Sequence, residues 1–497
     1  MGSIDVLDHY DVIPATNGKK LVNGELKEHN LRKEGVVPQY SLEDLPEEKL
    51  QHSTAPWYSH LNEPLTENFR QGCPPLLIGG SALGKGIFTD DEILQSTEPY
   101  RVIRLAFQYG IRAIDTSPFY HPSEISLGRI LKALSKEYPR ESYYLQTKVG
   151  RYGQEKKDFD YSPDRIRESV ATSLRRLNTT YLDSVVLHDV EFVCDDVGPS
   201  QKAGFAARDV VGDAEIRNQC GLCDVDQDDQ SLTLTVHGKG DEKILAAIRT
   251  LFELKEQGIV RNVGIGGYPL PTLLRLSRLI ASHAPFRAVD IIVNYSNHTL
   301  QNDLLSRYAA QFAQEPKKAR LTSVKAIGKD SAFLPDWIAP TIINASPFSM
   351  GLLTDKGPPA WHPASEKLKS LCIEASETLS KKGQSLAKVA AHFGFRGSEL
   401  KKQDSNSNYP TPHLATIVGM NSVEQVHQAV QTYRAILADA HLSNKNADQV
   451  AFSMSDKEVQ SYKSYSKQQR QDEEYVINLF KSHEFRDWTW ASPPPPL

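Results

Sequence analysis

From about residue 75 the chain repeats one texture: a short apolar run, then apolar residues three and four apart on a polar background, then a turn. Pro74–Leu83 is apolar around Gly79-Gly80 and predicts a strand. Asp91–Tyr109 carries Ile93, Leu94, Val102, Ile103, Leu105 and Ala106 at helical spacing and stops at Gly110. The run 111–115 predicts a second strand, followed by a helix around Ser123–Leu134 with Ile125, Leu127, Ile130 and Leu131 as its apolar face. Strand 143–148 leads through Ser162-Pro163-Asp164 into a helix to Leu177, with a capping serine and proline at the first helical position. Strand 182–188 follows.

The alternation lapses over 191–240, a stretch rich in Asp, Gly and Gln that reads as an inserted loop. It resumes with helix Glu242–Gln257, strand Val260–Ile265, helix Thr272–His283, strand Ala288–Asn294 and helix Leu300–Ala313. Strand Ile342–Ser346, helical stretches 365–382 and 385–394, strand Ala415–Val418 and helix Ser422–Leu437 complete the series. Eight strand–helix units over about 360 residues fit an α/β fold closed as a (β/α)₈ TIM barrel. An open doubly wound sheet fits less well, because its Gly-x-Gly-x-x-Gly fingerprint is missing and the nearest cluster, Gly264-Ile-Gly-Gly267, lies in the wrong half. The expected organisation is a polar extension over 1–70, of which 1–45 is a flexible arm, and a barrel over 71–440. A C-terminal extension over 441–497 has charged helical residues to about 482 and ends in a Pro-rich tail.

Composition narrows the function classes. A net charge of −5 gives no electrostatic case for nucleic acid or an anionic membrane surface. No apolar run approaches the roughly 20 residues of a membrane span, and the first residues carry neither a basic nor an apolar leader region. Five cysteines (73, 194, 220, 223 and 372) in 497 residues fit a reducing compartment, so a cytoplasmic location is expected. Cys220-Gly-Leu-Cys223 has no second pair to complete a zinc site, and no metal is expected.

Three successive strand ends carry the chemistry. Asp115 ends the second strand, Tyr120 follows five residues later, Lys148 ends the third and His188 the fourth. In a barrel, strand C-termini form the active face. A phenol titrates near pH 10 and needs cationic help to move protons near neutrality. Lys148 is expected to lower the pKa of Tyr120, Asp115 to hold and neutralise Lys148, and His188 to donate to a substrate oxygen. Singly, each residue also reads as a solvated cap, a turn former or a satisfied core histidine; the conjunction carries the functional reading. The set contains no serine or cysteine nucleophile and no glycosidase carboxylate pair, and a redox step would require a hydride carrier from outside.

Asp115…Tyr120…Lys148…His188 in this order resembles the tetrad of the aldo-keto reductase superfamily. The stretch 169–183 resembles the family's helix leading into the fourth strand, Ser346-Pro-Phe-Ser-Met-Gly351-Leu352 its cofactor loop after the seventh, and Thr416–Gln425 its segment at the adenosine end. The resemblance spans roughly 75–440 and implies a barrel that binds an extended nicotinamide dinucleotide. It implies Tyr120 as general acid in reduction and general base in oxidation, with Asn294, Ser346, Pro347, Gly351, Leu352, Gly419, Met420, Ser422 and Gln425 at the cofactor. This chain departs from the family in having Gly266-Gly267 where Ser-Asn commonly follows the fifth strand, and Asn294 for the glutamine of the sixth. The loop Gly419-Met420-Asn421 with Glu424 and Gln425 carries no basic group for a 2′-phosphate, which favours NAD over NADP. These segments most resemble the family's NAD-linked D-arabinose and L-galactose 1-dehydrogenases, implying oxidation of an aldose at its anomeric carbon to a lactone. Two alternatives stay open: a carbonyl reductase of secondary metabolism using NADPH, and a cofactor-sensing or partner-binding subunit.

Overall fold

A computed structural model describes residues 35–52, 75–86, 88–222, 235–285, 287–314, 339–396, 414–443 and 456–493. Eight parallel strands close into a barrel in chain order: β1 Leu76–Gly79, β2 Ala113–Asp115, β3 Tyr144–Val149, β4 Leu182–Leu187, β5 Val260–Gly267, β6 Ile291–Tyr295, β7 Thr341–Ala345 and β8 Leu414–Val418. β8 pairs back to β1 through Leu76 opposite Thr416 and Ile78 opposite Val418. The predicted (β/α)₈ barrel is the observed fold.

Period-two alternation splits each strand between two apolar layers. Leu77, Ala113, Tyr144, Val186, Val293 and Ile343 point inward and fill the barrel. Their neighbours, among them Ile78, Ile114, Leu145, Val185 and Ile292, join the larger cluster between strands and helices. Among the described residues ten longer helices pack around the strands or on one another: α1 Glu98–Gln108, α2 Ser123–Ala133, α3 Pro163–Arg176, α4 Lys239–Glu256, α5 Leu270–Ala281, α6 Leu304–Ala313, α7 Glu366–Lys381, α8 Leu386–Gly394, α9 Val423–Ser443 and α10 Asp456–Ser482. Each fully buried aliphatic or aromatic side chain in these layers contributes about 1.5–3 kcal/mol.

Several boundaries differ from the sequence reading, for local reasons. The stretch 74–83 is strand only to Gly79, and Gly80–Leu83 is a 3₁₀ turn. The helix expected over 91–109 breaks into a turn at Asp91–Leu94 and α1. Pro99 lacks the N–H that would continue it and its ring crowds the preceding turn, so a new helix must start there. Ser162 stands at the start of α3 in an extended conformation, yet its hydroxyl makes no capping bond; the fixed φ of Pro163 starts the helix. The stretch 296–303, partly assigned to a helix, is loop before α6.

Two segments expected to be loose are packed. Residues 35–45, part of the predicted flexible arm, bury Val36 and Val37 completely. The Val37 N–H donates to Ser126 Oγ at 3.2 Å, Arg129 Nη1 to the Val37 carbonyl at 2.7 Å, and the Tyr100 hydroxyl to the Pro38 carbonyl at 2.9 Å. Residues 1–34 and 53–74 lie outside the described residues. The described part of 191–240 is also not a plain loop. It has helical turns at Ala206–Asp209 and Ala214–Gln219, and buries Ala207, Val210, Cys220 and Leu222. Its apolar residues dock one at a time at irregular spacing, so no period announces them.

A close helix contact generates a test of this packing. A Cβ on Gly128 of α2 would stand 1.9 Å from the Arg176 carbonyl oxygen at the end of α3. Helix propensity favours Gly128→Ala by about 1 kcal/mol, whereas such overpacking costs about 1–3 kcal/mol. The variant should unfold at lower denaturant; an unchanged or raised midpoint would refute the contact.

Candidate active site

β2 and β3 are neighbours in register, with Asp115 opposite Gln146. That pairing puts Lys148, two residues further along β3, within reach of the Asp115 carboxylate. Lys148 Nζ donates to Asp115 Oδ1 at 2.7 Å and Oδ2 at 2.5 Å, and to the Thr116 carbonyl at 3.2 Å. Gln146 Nε2 adds a bond to Asp115 Oδ1 at 2.7 Å, and the Ser184 hydroxyl of β4 fixes Gln146 through its Oε1 at 2.7 Å. Asp115 and Lys148 are both buried.

After Asp115 the chain makes a 3₁₀ turn, Pro118–Tyr120, capped by Ser117 Oγ, which accepts the Phe119 N–H at 3.1 Å. The turn swings the Tyr120 ring over Lys148, whose Nζ lies 4.9 Å from the ring centroid. His188 follows β4, with its N–H bonded to the Val149 carbonyl and its carbonyl accepting the Tyr161 hydroxyl at 2.6 Å. Its ring meets Tyr120 edge-on, centroids 5.6 Å apart at 81°. Ser117 Oγ lies 3.0 Å from His188 Nδ1. A Ser117 hydroxyl that accepts from Phe119 can also donate to Nδ1, and the tautomer that receives this bond carries its ring proton on Nε2. Asp115, Tyr120, Lys148 and His188 thus stand together at one barrel mouth.

Burial governs how these groups titrate. It pushes His188 down to about 3, with Lys148 and Arg151 adding to the shift and Asp189 opposing it, so the imidazole is neutral near pH 7. Burial also pulls on Lys148, but the Asp115 carboxylate and Tyr120 outweigh it, and the ammonium is held above its ordinary value. Tyr120 corrects the sequence expectation. Its phenol is raised, because burial, reinforced by Asp115 and Asp189, outweighs the lowering by Lys148.

Of the residues expected at a cofactor, Asn294 is the most informative. It donates from Nδ2 to the Gly267 and Tyr268 carbonyls at 3.0 and 2.9 Å, while its buried Oδ1 has no partner. Val293 beside it points into the barrel, so Asn294 stands on the outer face of β6 and ties the ends of β5 and β6 together instead of facing the mouth. After β7, Ser346, Ser349, Met350 and Gly351 all have positive φ, and Ser346 Oγ holds the loop by accepting the Met350 N–H at 2.7 Å. Pro347 is buried against Gly394, and the Leu352 side chain belongs to an apolar cluster with Leu300, Leu353 and Leu368. Beyond β8, Gly419 is exposed whereas the Met420 side chain is in the core. Ser422 Oγ accepts the Gln425 N–H at 3.3 Å, and Gln425 Oε1 accepts the Asn421 N–H at 2.8 Å. Leu352 and Met420 can therefore meet a cofactor only through their backbones.

The mouth has further walls that the sequence reading passed over. Arg151 forms an ion pair with Asp189 and stacks on Phe119, 3.7 Å from its centroid. The segment 485–492 crosses the β6 side of the mouth. Gln301 Nε2 donates to the Phe485 and Trp488 carbonyls at 2.6 and 2.9 Å, and Asp487 accepts the Asp303 N–H at 2.9 Å. Thr489 exchanges backbone bonds with Gly204 at 2.9 Å, and Trp490 stacks on Tyr268 with centroids 4.5 Å apart. A Trp-x-Trp pair in an otherwise polar tail was the available signal. Among the described residues, no group of three His, Cys, Asp or Glu could hold a metal. Cys194, Cys220 and Cys372 are free thiols, and Cys73 and Cys223 lie outside the described residues.

Residues 75–315 match the pattern of the Aldo/keto reductase family. The chain is 28% identical over 426 residues to the D-arabinose 1-dehydrogenase of Saccharomyces cerevisiae, covering 85% of this chain and 95% of that protein. It is 29% identical over 356 residues to the L-galactose dehydrogenase of Arabidopsis thaliana, covering 71% and 82%. A solved aldo-keto reductase from Bacillus halodurans aligns over 78% of this chain and 91% of its own at 18% identity and TM-score 0.40, a likeness too low to bear on fold or function. The stretch 75–315 and these two relatives make the chain similar to the Aldo/keto reductase family. Its chemistry is that of an oxidoreductase acting on CH–OH or carbonyl groups.

A neutral His188 can be tested directly. Its imidazole carbon-bound protons, followed by NMR, should show no titration step between about pH 5 and 8. A step near 6.5 would contradict the burial described.

Proposed function

We propose that the protein is an NAD-dependent aldose 1-dehydrogenase that oxidises the anomeric carbon of a sugar of the D-arabinose or L-galactose type to a lactone. One observation carries the oxidoreductase chemistry: Lys148, clamped by Asp115, lies beneath the Tyr120 ring with neutral His188 on its edge. Sugar as substrate is supported by the names of the two curated relatives that match most of this chain. NAD is supported by the absence of Lys and Arg from the loop 419–425, where Glu424 would repel a 2′-phosphate.

A bound nicotinamide supplies the hydride acceptor. Tyr120 takes the hydroxyl proton from the anomeric carbon as its C–H bond gives up hydride. Lys148 stabilises the tyrosinate that oxidation requires, and Asp115 keeps the ammonium in place. His188 donates from Nε2 to the substrate oxygen and so orients the carbon being oxidised. The loop Ser346–Gly351 and the residues Gly419, Ser422 and Gln425 would line the dinucleotide. A reducing, cytoplasmic setting is supported by the free thiols of Cys194, Cys220 and Cys372. Among the described residues no helix is long and apolar enough to cross a membrane.

A second reading, reduction of an aldehyde or ketone with NADPH, is favoured by the raised Tyr120 pKa. A phenol that keeps its proton is poised to protonate a carbonyl. Rates with aldoses plus NAD, set against aldehydes plus NADPH, separate the two readings, and faster turnover of the second pair would replace the first.

Tyr120→Phe should lose about 10²–10⁴-fold in kcat while still binding dinucleotide. Full turnover in that variant would sink the mechanism. Because oxidation needs the deprotonated phenol and that phenol is raised, kcat/KM for oxidation should climb with pH through the alkaline range. Reduction should stay flat over the same range, and a flat oxidative profile would contradict the role given to Tyr120.

A further inference from the structure

Next to His188 the chain places a carboxylate that could disable it. Asp189 has φ 57°, a left-handed conformation that aspartate tolerates better than most residues. Its Oδ2 lies 3.7 Å from His188 Nε2, the ring nitrogen assigned above to the substrate oxygen. That separation is too long for a hydrogen bond, yet a small turn of the side chain would make one. A carboxylate bonded at Nε2 would occupy the proton meant for substrate and stabilise the imidazolium.

Arg151 holds that same oxygen. Its Nη1 donates to Asp189 Oδ2, and its Nε donates to the Gly153 carbonyl at 3.1 Å. The guanidinium carbon lies 3.7 Å from the Phe119 ring centroid and 5.2 and 5.4 Å from those of Phe159 and Phe192. Phe159 and Phe192 stack on each other, 4.7 Å apart and 5° from parallel. Three rings and a backbone carbonyl thus fix the cation independently of Asp189.

Among the described residues, Asp189 is the carboxylate that faces the imidazole, and Lys148 and Arg151 are the cations. Tyr120 meets the ring edge-on, and the Tyr161 hydroxyl is bonded to the His188 carbonyl. Glu191, two residues beyond Asp189, accepts the Tyr268 N–H and the Ser492 hydroxyl, each at 3.0 Å. Burial, with Asp189 adding to it, raises Glu191 to about 8, so near neutrality it adds no second negative charge.

We propose that Arg151 is a positioning residue: pinned among Phe119, Phe159 and Phe192, it keeps the Asp189 carboxylate off His188 Nε2 and leaves that proton to the substrate. The assignment rests on the reading of His188 as donor to the substrate oxygen and adds the pair that preserves it.

The test is the titration of His188 by NMR on the full chain, beside kcat with an aldose and NAD. Arg151→Met keeps an apolar stem among the three rings but frees the carboxylate. It should bring a His188 step into the range of about pH 5–8, where the parent shows none, and lower kcat about tenfold with NAD affinity unchanged. Adding Asp189→Asn removes the carboxylate; the step should leave that range and kcat should return to within about threefold of the parent. Arg151→Gln, which loses the charge and keeps a donor, decides the matter where Arg151→Met does not fold. Absence of the step overturns the assignment, and activity lost without it marks a structural role. So does a step that persists in the double variant, or kcat at the parent level while His188 titrates. A parent protein inactive on aldoses with NAD overturns the proposed reaction instead, a failure the titration does not share.

Discussion

The site depends on burying one ion pair. Lys148 and Asp115 sit between β2 and β3 with almost no exposed surface. Taking two such charges out of water costs several kcal/mol per ion, and their mutual attraction repays this only when the remaining hydrogen-bonding capacity is met. Here it is met from three directions: Gln146 on the carboxylate, the Thr116 carbonyl on the ammonium, and Ser184 behind Gln146. Those partners come from three adjacent parallel strands, so the pair exists only where the barrel has closed in the right register. Once formed, it fixes the height of the ammonium beneath Tyr120 and so decides which phenol can act.

Much of this was legible in the sequence because the signals are local. Eight apolar runs separated by amphipathic stretches define the strands and the outer helices, and the topology follows from the rule that parallel strands need crossovers. The tetrad was legible for a related reason. Each member stands at or just beyond a strand end, and a barrel gathers strand ends on one face.

What escaped depends on distant packing. The direction of the Tyr120 shift could not be read from the presence of Lys148. It is a balance between a cation and desolvation, and only the assembled mouth shows desolvation winning. Glu191 looked like one more acidic residue at the start of a polar insert; its burial comes from β5 and from residue 492. Leu352 and Met420 lie within segments that track the cofactor by resemblance, yet both are apolar and turn into the core. A segment's alignment with a binding motif does not say which of its side chains face the ligand. The departures at 35–45 and 191–222 have a similar origin, since scattered apolar residues can dock individually without leaving a period.

The segment 485–492 separates the reacting groups from the wall that encloses them. The tetrad spans 115–188 and is built from neighbouring strands, whereas the strap joins Glu191 to Ser492 across 301 residues. Contacts between such remote stretches bear a larger loop-closure entropy than those within the tetrad. The proton-transfer groups therefore take their geometry from neighbouring strands alone, whereas the wall of the entrance is borrowed from the far end of the chain.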